Sequence, residues 1–114
     1  MNDIIDSIGL PAVLEQLAEE CSELAQAALK YSRVLRGENP TPKTEQECLD
    51  AVIEETADVE LCISVLTLAD AIPYDLTVDI LEQKSDRWKN RIREAHHEEH
   101  KPENGCGTIK EVTA

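Results

Sequence analysis

The stretch Val52–Ala69, VIEETADVELCISVLTLA, constrains the fold most, because it is the most apolar run in the chain and yet carries Glu55 and Asp58 near its start. A helix accommodates both properties. At about 100° per residue, Leu49, Val52, Thr56, Val59 and Ile63 line one stripe, with Glu55 and Asp58 following each other one turn apart along its edge. Glu54 and Asp50 fall on the outer face. Beyond Asp58, the residues Leu61, Cys62, Val65, Leu66 and Leu68 leave almost no polar face, and a helix that is apolar all round must be covered on all sides.

What surrounds this helix is bounded by composition. The 114 residues suffice for one domain with a modest core. An aromatic share of 3% with no Phe, and no β-branched alternation, points to Leu/Ile/Val/Ala helix packing and an all-α class. The net charge of −13, from 11 basic and 24 acidic residues, argues against a nucleic-acid backbone or an anionic membrane as partner. An anionic small molecule requires a metal or local basic residues to reverse the charge at its site. No run approaches the roughly 20 apolar residues of a membrane span, and MNDIIDSIGL lacks a basic leader, so the expected location is cytoplasmic. Cys21, Cys48, Cys62 and Cys106 show no C-x-x-C spacing, which argues against a zinc or thioredoxin-type site. Cys21 and Cys62 read as small hydrophobes among apolar helical positions. No Ser/His/Asp pattern or Gly-rich phosphate loop is present.

Three main helices are expected. Residues 1–9 form a short lead with Ile4, Ile5 and Ile8 available for packing, and Gly9-Leu10-Pro11 marks a helix entry. The first long helix runs to about Arg36, with Leu14, Leu17, Cys21, Leu24, Ala28 and Leu35 on its stripe and Gly37 as its stop. GENPTPK is a connecting loop, because Pro40 and Pro42 bias their predecessors to extended backbone. Thr44-Glu45-Gln46-Glu47 has the form of a capping box and opens the second helix, which ends near Asp70. A third helix covers about Tyr74 to Glu94, with Val78, Leu81, Trp88, Ile92 and Ala95 on its stripe. The domain organisation is thus a helical domain over residues 1–95 and a charged, flexible tail over 96–114.

The candidate chemistry comes from setting the helices side by side. Glu20-Cys21-Ser22-Glu23 and Glu55-Thr56-Ala57-Asp58 are both acid-x-x-acid. Measured from Leu17 and Val52, Glu20 and Glu55 each lie about 60° off centre and Glu23 and Asp58 about 120° off, on the same rotational side. Antiparallel packing can bring all four carboxylates into one cluster. Four anions so close repel unless a cation sits between them, and an all-oxygen site suits Mg²⁺ or Mn²⁺ rather than Zn²⁺. On the third helix, Lys84, Arg87 and Arg91 flank the Leu81 stripe, either as a solvated basic face or as a clamp for phosphates.

The order E-E-x-x-E, then E-x-x-D, then K-x-x-R on successive helices resembles the all-α, MazG-like nucleoside triphosphate pyrophosphohydrolases over roughly residues 12–92. The resemblance implies a MazG-like four-helix-bundle core, three main helices per chain completed by homo-oligomerisation as a dimer or tetramer. It also implies cleavage of an NTP or dNTP to a nucleoside monophosphate and pyrophosphate, a reaction that suits nucleotide-pool house-cleaning. By that resemblance Glu20, Glu23, Glu55 and Asp58 are the catalytic metal ligands for Mg²⁺, with Mn²⁺ as substitute, and Lys84 and Arg87 match its basic positions. Glu82 stands where the family often has Asn, and 31 residues separate Glu23 from Glu55, more than in compact members. These departures bear on the substrate more than on the reaction. Arg91 is a further phosphate candidate, and Tyr31, Arg36 and Asn39 are secondary candidates for base or sugar.

Two other classes compete. A di-iron bundle needs Glu-x-x-His, which none of the three His residues supplies. His96 and His100 share a face but lie in the charged HHEEH run, where solvation explains them. A non-catalytic helical interaction or regulatory module would show no dependence on divalent ions.

Overall fold

A computed structural model describes residues 2–38 and 42–99 of the chain. It contains four helices, α1 (Asn2–Ile8), α2 (Leu10–Arg36), α3 (Glu45–Leu68) and α4 (Tyr74–Glu99), and no strand among the described residues. The all-α expectation holds at this level. The chain divides into two compact units, Met1–Ile72 and Pro73–Ala114.

In the first unit, the helix boundaries follow from local chemistry. The lead is itself helical, and Gly9 separates it from α2 by taking φ 91° and ψ 154°, a backbone state that an L side chain rarely adopts. Pro11 then sits in the first turn of α2, where a missing N–H costs nothing. At the other end Gly37, at φ 69°, turns left-handed and donates its N–H to Val34 O, while Glu38 N–H reaches Arg33 O at 3.0 Å. The expected capping box opens α3. Glu47 N–H donates to Thr44 Oγ1 at 3.1 Å, and Thr44 N–H donates to Glu47 Oε1 at 3.1 Å. The two Thr44 contacts hold the Glu47 carboxyl below its ordinary value. After α3, Asp70 adopts φ 58° and the N–H groups of Ala71 and Ile72 both turn back to Leu66 O.

The core of this unit is Val13, Val65 and Leu66, onto which Ile5, Leu17 and Ile72 pack. The start of α2 therefore meets the end of α3, and Lys30 near the end of α2 shares a cleft with Cys48 near the start of α3. The two helices are antiparallel.

The buried stripes differ from those expected. On α2 the inward positions are Val13, Leu17, Glu20, Leu24, Ala27, Tyr31 and Val34, whereas Leu14, Cys21, Ala28 and Leu35 are exposed. On α3 Cys48, Val59, Cys62, Val65 and Leu66 are buried and Leu49, Val52, Glu55 and Thr56 half-buried, so only Ile63 of the expected stripe is exposed. The α2 stripe is turned by about 60° from the expected one and the α3 stripe widened, in both cases toward the acids. The physical reason is that each helix carries apolar residues on more than half its circumference, so two seams were open and tertiary packing selected one. Cys21 is consequently exposed, while Cys48 and Cys62 are buried.

The expected all-round cover of α3 is not provided within this unit, where Leu61 is 51% and Leu68 59% exposed. No helix among the described residues is long and apolar enough to cross a membrane.

The second unit consists, in its described part, of α4. This helix has no buried residue, and Leu81, Trp88 and Ile92 of its expected stripe are exposed. It also runs to Glu99, past the expected end at Glu94, so the boundary set at residues 95/96 falls inside a helix. Loss of apolar periodicity is not loss of helix propensity: AHHEE contains no breaker, and the next Pro is Pro102. The rest of the expected tail, 100–114, lies outside the described residues.

Candidate functional site

The seam that α2 and α3 share contains acids where a helix pair ordinarily places aliphatic residues. Glu20 follows Leu17 and precedes Leu24 along the inward row of α2, and Glu55 stands between Val52 and Val59 on α3. Both are half-buried, whereas the adjacent Glu19 and Glu54 are exposed, as their opposite facing predicts. The spacing of three residues then carries Glu23 and Asp58 round the same side.

Glu20, Glu23 and Glu55 each offer a carboxylate oxygen, and these oxygens all lie within 4.8 Å of one another. Asp58 is half-buried beside them, and its charge acts on both Glu20 and Glu55. Gln16, one turn before Glu20, donates from Nε2 to Glu20 Oε1 at 2.7 Å. The remaining oxygens are not so served. Glu20 Oε2 and Glu55 Oε2 are buried and have no hydrogen-bond partner among the described residues. Buried polar atoms are nearly always paired; here either a proton shared with the neighbouring carboxyls, Asp58 for Glu20 and Glu23 for Glu55, or a bound cation serves them.

The electrostatics agree with the geometry. For Glu20 the Gln16 hydrogen bond pulls the carboxyl down, but burial and the charges of Asp58 and Glu23 outweigh it and the net direction is up. For Glu55 burial acts first and the neighbouring charge of Glu23 second, again upward. Burial, followed by the charges of Glu20 and Asp58, likewise raises the Cys62 thiol, which opposes thiolate chemistry there.

This donor set fits a hard divalent cation. Oxygens on a six-coordinate Mg²⁺ at about 2.1 Å stand roughly 3–4 Å apart, so a group already within 4.8 Å closes by small side-chain movements. Three carboxylates without thiol or imidazole suit Mg²⁺ or Mn²⁺ and leave Zn²⁺ unfavoured.

A cleft opens beside this cluster, sharing Glu23 and Glu55 with it and continuing along Gln26, Ala27 and Ala51 to Lys30, Lys43 and Cys48. Gln16, Gln26, Lys30 and Lys43 were not among the residues singled out from the sequence. The signal was present, since Lys30 follows Glu23 by two helical turns and Cys48 precedes Glu55 by two turns on the antiparallel partner.

The other expected residues are placed as follows. Lys84, Arg87 and Arg91 are exposed on α4 and line an open pocket together with Trp88, within the second unit. Tyr31 is half-buried on the inward row of α2, and Arg36 is exposed in its last turn. Asn39 lies outside the described residues.

The raised carboxyls make stability depend on pH with a definite sign. A carboxyl whose folded pKa lies above its unfolded one contributes stability below the unfolded value and loses it as pH rises through the folded value. Without divalent cations, Glu55→Gln should therefore melt at a higher temperature than the parent near pH 7, and the difference should vanish near pH 4. Melting curves of the two proteins across this range check it, and an equal or lower melting point for the variant near neutrality would contradict the buried-anion geometry.

Compared with known proteins, the chain matches no family model, no curated protein and no solved structure, so the functional reading rests on the chemistry of its own side chains.

Proposed function

We propose that the protein is a Mg²⁺-dependent nucleoside triphosphate pyrophosphohydrolase, cleaving an NTP or dNTP to a nucleoside monophosphate and pyrophosphate. The observations that carry this reading are the carboxylate oxygens of Glu20, Glu23 and Glu55 within 4.8 Å of one another and the buried oxygens of Glu20 and Glu55 that no donor serves. Glu20, Glu23 and Glu55 would hold the ion, with Asp58 beside them as the fourth acid. When bound, Mg²⁺ supplies charge neutralisation of the triphosphate and a more acidic water.

The chain's own residues contribute orientation and proton transfer. Water attacks the α-phosphorus, the α–β anhydride bond breaks, and pyrophosphate leaves. The proton released from the water passes to a carboxylate of the cluster that does not ligate the ion. The half-buried seam limits bulk water at the acids and strengthens each charge interaction there.

Glu55→Gln keeps the shape of the side chain and removes its charge. Mg²⁺-dependent stabilisation in a thermal melt and hydrolysis in a panel of NTPs and dNTPs should disappear together. Full activity in the variant would remove the metal reading.

The cations of α4 are proposed as phosphate-binding groups. Lys84, Arg87 and Arg91 are exposed and recur at three- and four-residue spacing along one side, with Trp88 among them. Lys84→Gln or Arg87→Gln should leave the melting temperature within a few degrees, since exposed charges contribute little to stability. In the same variants kcat/KM should fall by roughly ten-fold or more, on the order of a lost charge-assisted hydrogen bond. Hydrolysis at the parent rate would make this a structural basic face.

One observation favours the competing reading of a helical interaction module. Leu61 and Leu68, two turns apart on one side of α3, are exposed, and exposed apolar patches mark interaction surfaces. A second copy of the chain is the proposed cover, giving a dimer or tetramer in which enzyme and interaction surface coexist. Light scattering should return at least twice the chain mass, and a soluble, active monomer at micromolar concentration would overturn the proposal.

A further inference from the structure

We infer that the cleft between α2 and α3 is a polyphosphate site, in which Lys30 and Lys43 hold the terminal phosphates of the substrate. The inference rests on the proposed triphosphate hydrolysis and adds residues that the acidic and α4 motifs do not include. The cleft has two chemically distinct ends. Glu23 and Glu55 form one, and Lys30 with Lys43 forms the other, about two helical turns or roughly 10 Å away along α2. Between them Ala27 and Ala51 contribute little bulk, which leaves room for a ligand along the groove.

The lining chemistry selects an anion. Lys30 and Lys43 offer only donors, and the Gln26 amide adds another donor beside them. No aromatic ring lines the cleft among the described residues, so it has no stacking platform for a nucleobase. The two lysines are also the only ones in residues 1–72 of a chain at net −13, and both line this one cleft. The charge of Lys43 also acts, as the smallest of several influences, on the Glu47 carboxylate in the first turn of α3.

The consequence is a preference for phosphate chain length. Terminal phosphates held at the lysine end place the inner phosphate toward the acids, so a triphosphate spans the cleft and a diphosphate does not. The bond that breaks is then the one whose departing pyrophosphate already lies against cations, which neutralise the charge that develops on it.

The test uses the full chain with MgCl₂ and inorganic tripolyphosphate, pyrophosphate or adenosine, read by thermal melts and calorimetry. Tripolyphosphate should raise the parent's melting temperature beyond MgCl₂ alone, pyrophosphate less, and adenosine not at all. Lys30→Gln and Lys43→Gln should keep the MgCl₂ shift but bind tripolyphosphate about ten-fold more weakly, while Lys30→Arg and Lys43→Arg retain it. For an NTP and its NDP, the ratio of kcat/KM should fall in the Gln variants, a change that a merely structural role would not produce. Parent-like tripolyphosphate affinity in both Gln variants, or stabilisation by adenosine that they retain, overturns the inference whatever the hydrolysis assay shows. Lysine-dependent tripolyphosphate binding in a protein that hydrolyses no NTP would instead uphold the cleft and remove the proposed reaction.

Discussion

Glu20 and Glu55 occupy seam positions that an antiparallel helix pair ordinarily fills with Leu or Val, and this placement sets the character of the whole first unit. Each acid has aliphatic neighbours one turn before and after it, so both carboxylates start from a half-buried row of the seam and not from an exposed face. Val13, Val65 and Leu66 close the seam at one end and the Thr44 capping box fixes the other. A carboxylate in that row stands close to its like-charged partner. It can shift its pKa, take up a proton, or take up a cation.

The distribution of positive charge gives the same division of labour. In a chain with more than twice as many acids as bases, scattered cations would serve mainly to offset neighbouring carboxylates on exposed faces. Here Lys30 and Lys43 line one cleft, and Lys84, Arg87 and Arg91 line another pocket. An anionic ligand approaching a net charge of −13 meets long-range repulsion, so local cations must do the capturing. Concentrated cations achieve this far better than dispersed ones, because a multiply charged phosphate chain engages several of them at once and salt screens short contacts least.

Much of this arrangement was legible in the residues. Gly9, Gly37 and the Thr44–Glu47 pair mark helix boundaries by local stereochemistry that tertiary structure seldom overrides, and α2 begins and ends, and α3 begins, where these residues place them. The matched acid-x-x-acid spacing likewise identified Glu20, Glu23 and Glu55, because two residues three apart share a side whichever seam is chosen. The seam itself was not legible. Leu17 and Leu24 belong to both candidate stripes of α2, and only packing against α3, where Leu17 meets the Val65–Leu66 cluster, decides that Glu20, not Cys21, turns inward. The cleft was legible only in part: the two-turn spacing of Lys30 from Glu23 places it on the side of the acids, but Lys43 lies on a different element and nothing local to it signals the shared space. On α4, the charged run after Glu94 looked like an end because its apolar pattern stops, yet helix formation there needs only the absence of a breaker.

The inward acids also bear on why such a site would persist at all. In a unit of this size the core is small, with only a few fully buried side chains, and a stretch of seam given to carboxylates is apolar contact forgone. Replacing those acids by Leu would improve packing and remove repulsion, so stability alone does not favour them. A bound cation would reverse that comparison. It would link oxygens from two helices at the point where they repel most, and its binding free energy would add to the folded state alone. The same acids would then join α2 to α3, making the stability of the helix pair and the filling of the proposed site two readings of one equilibrium.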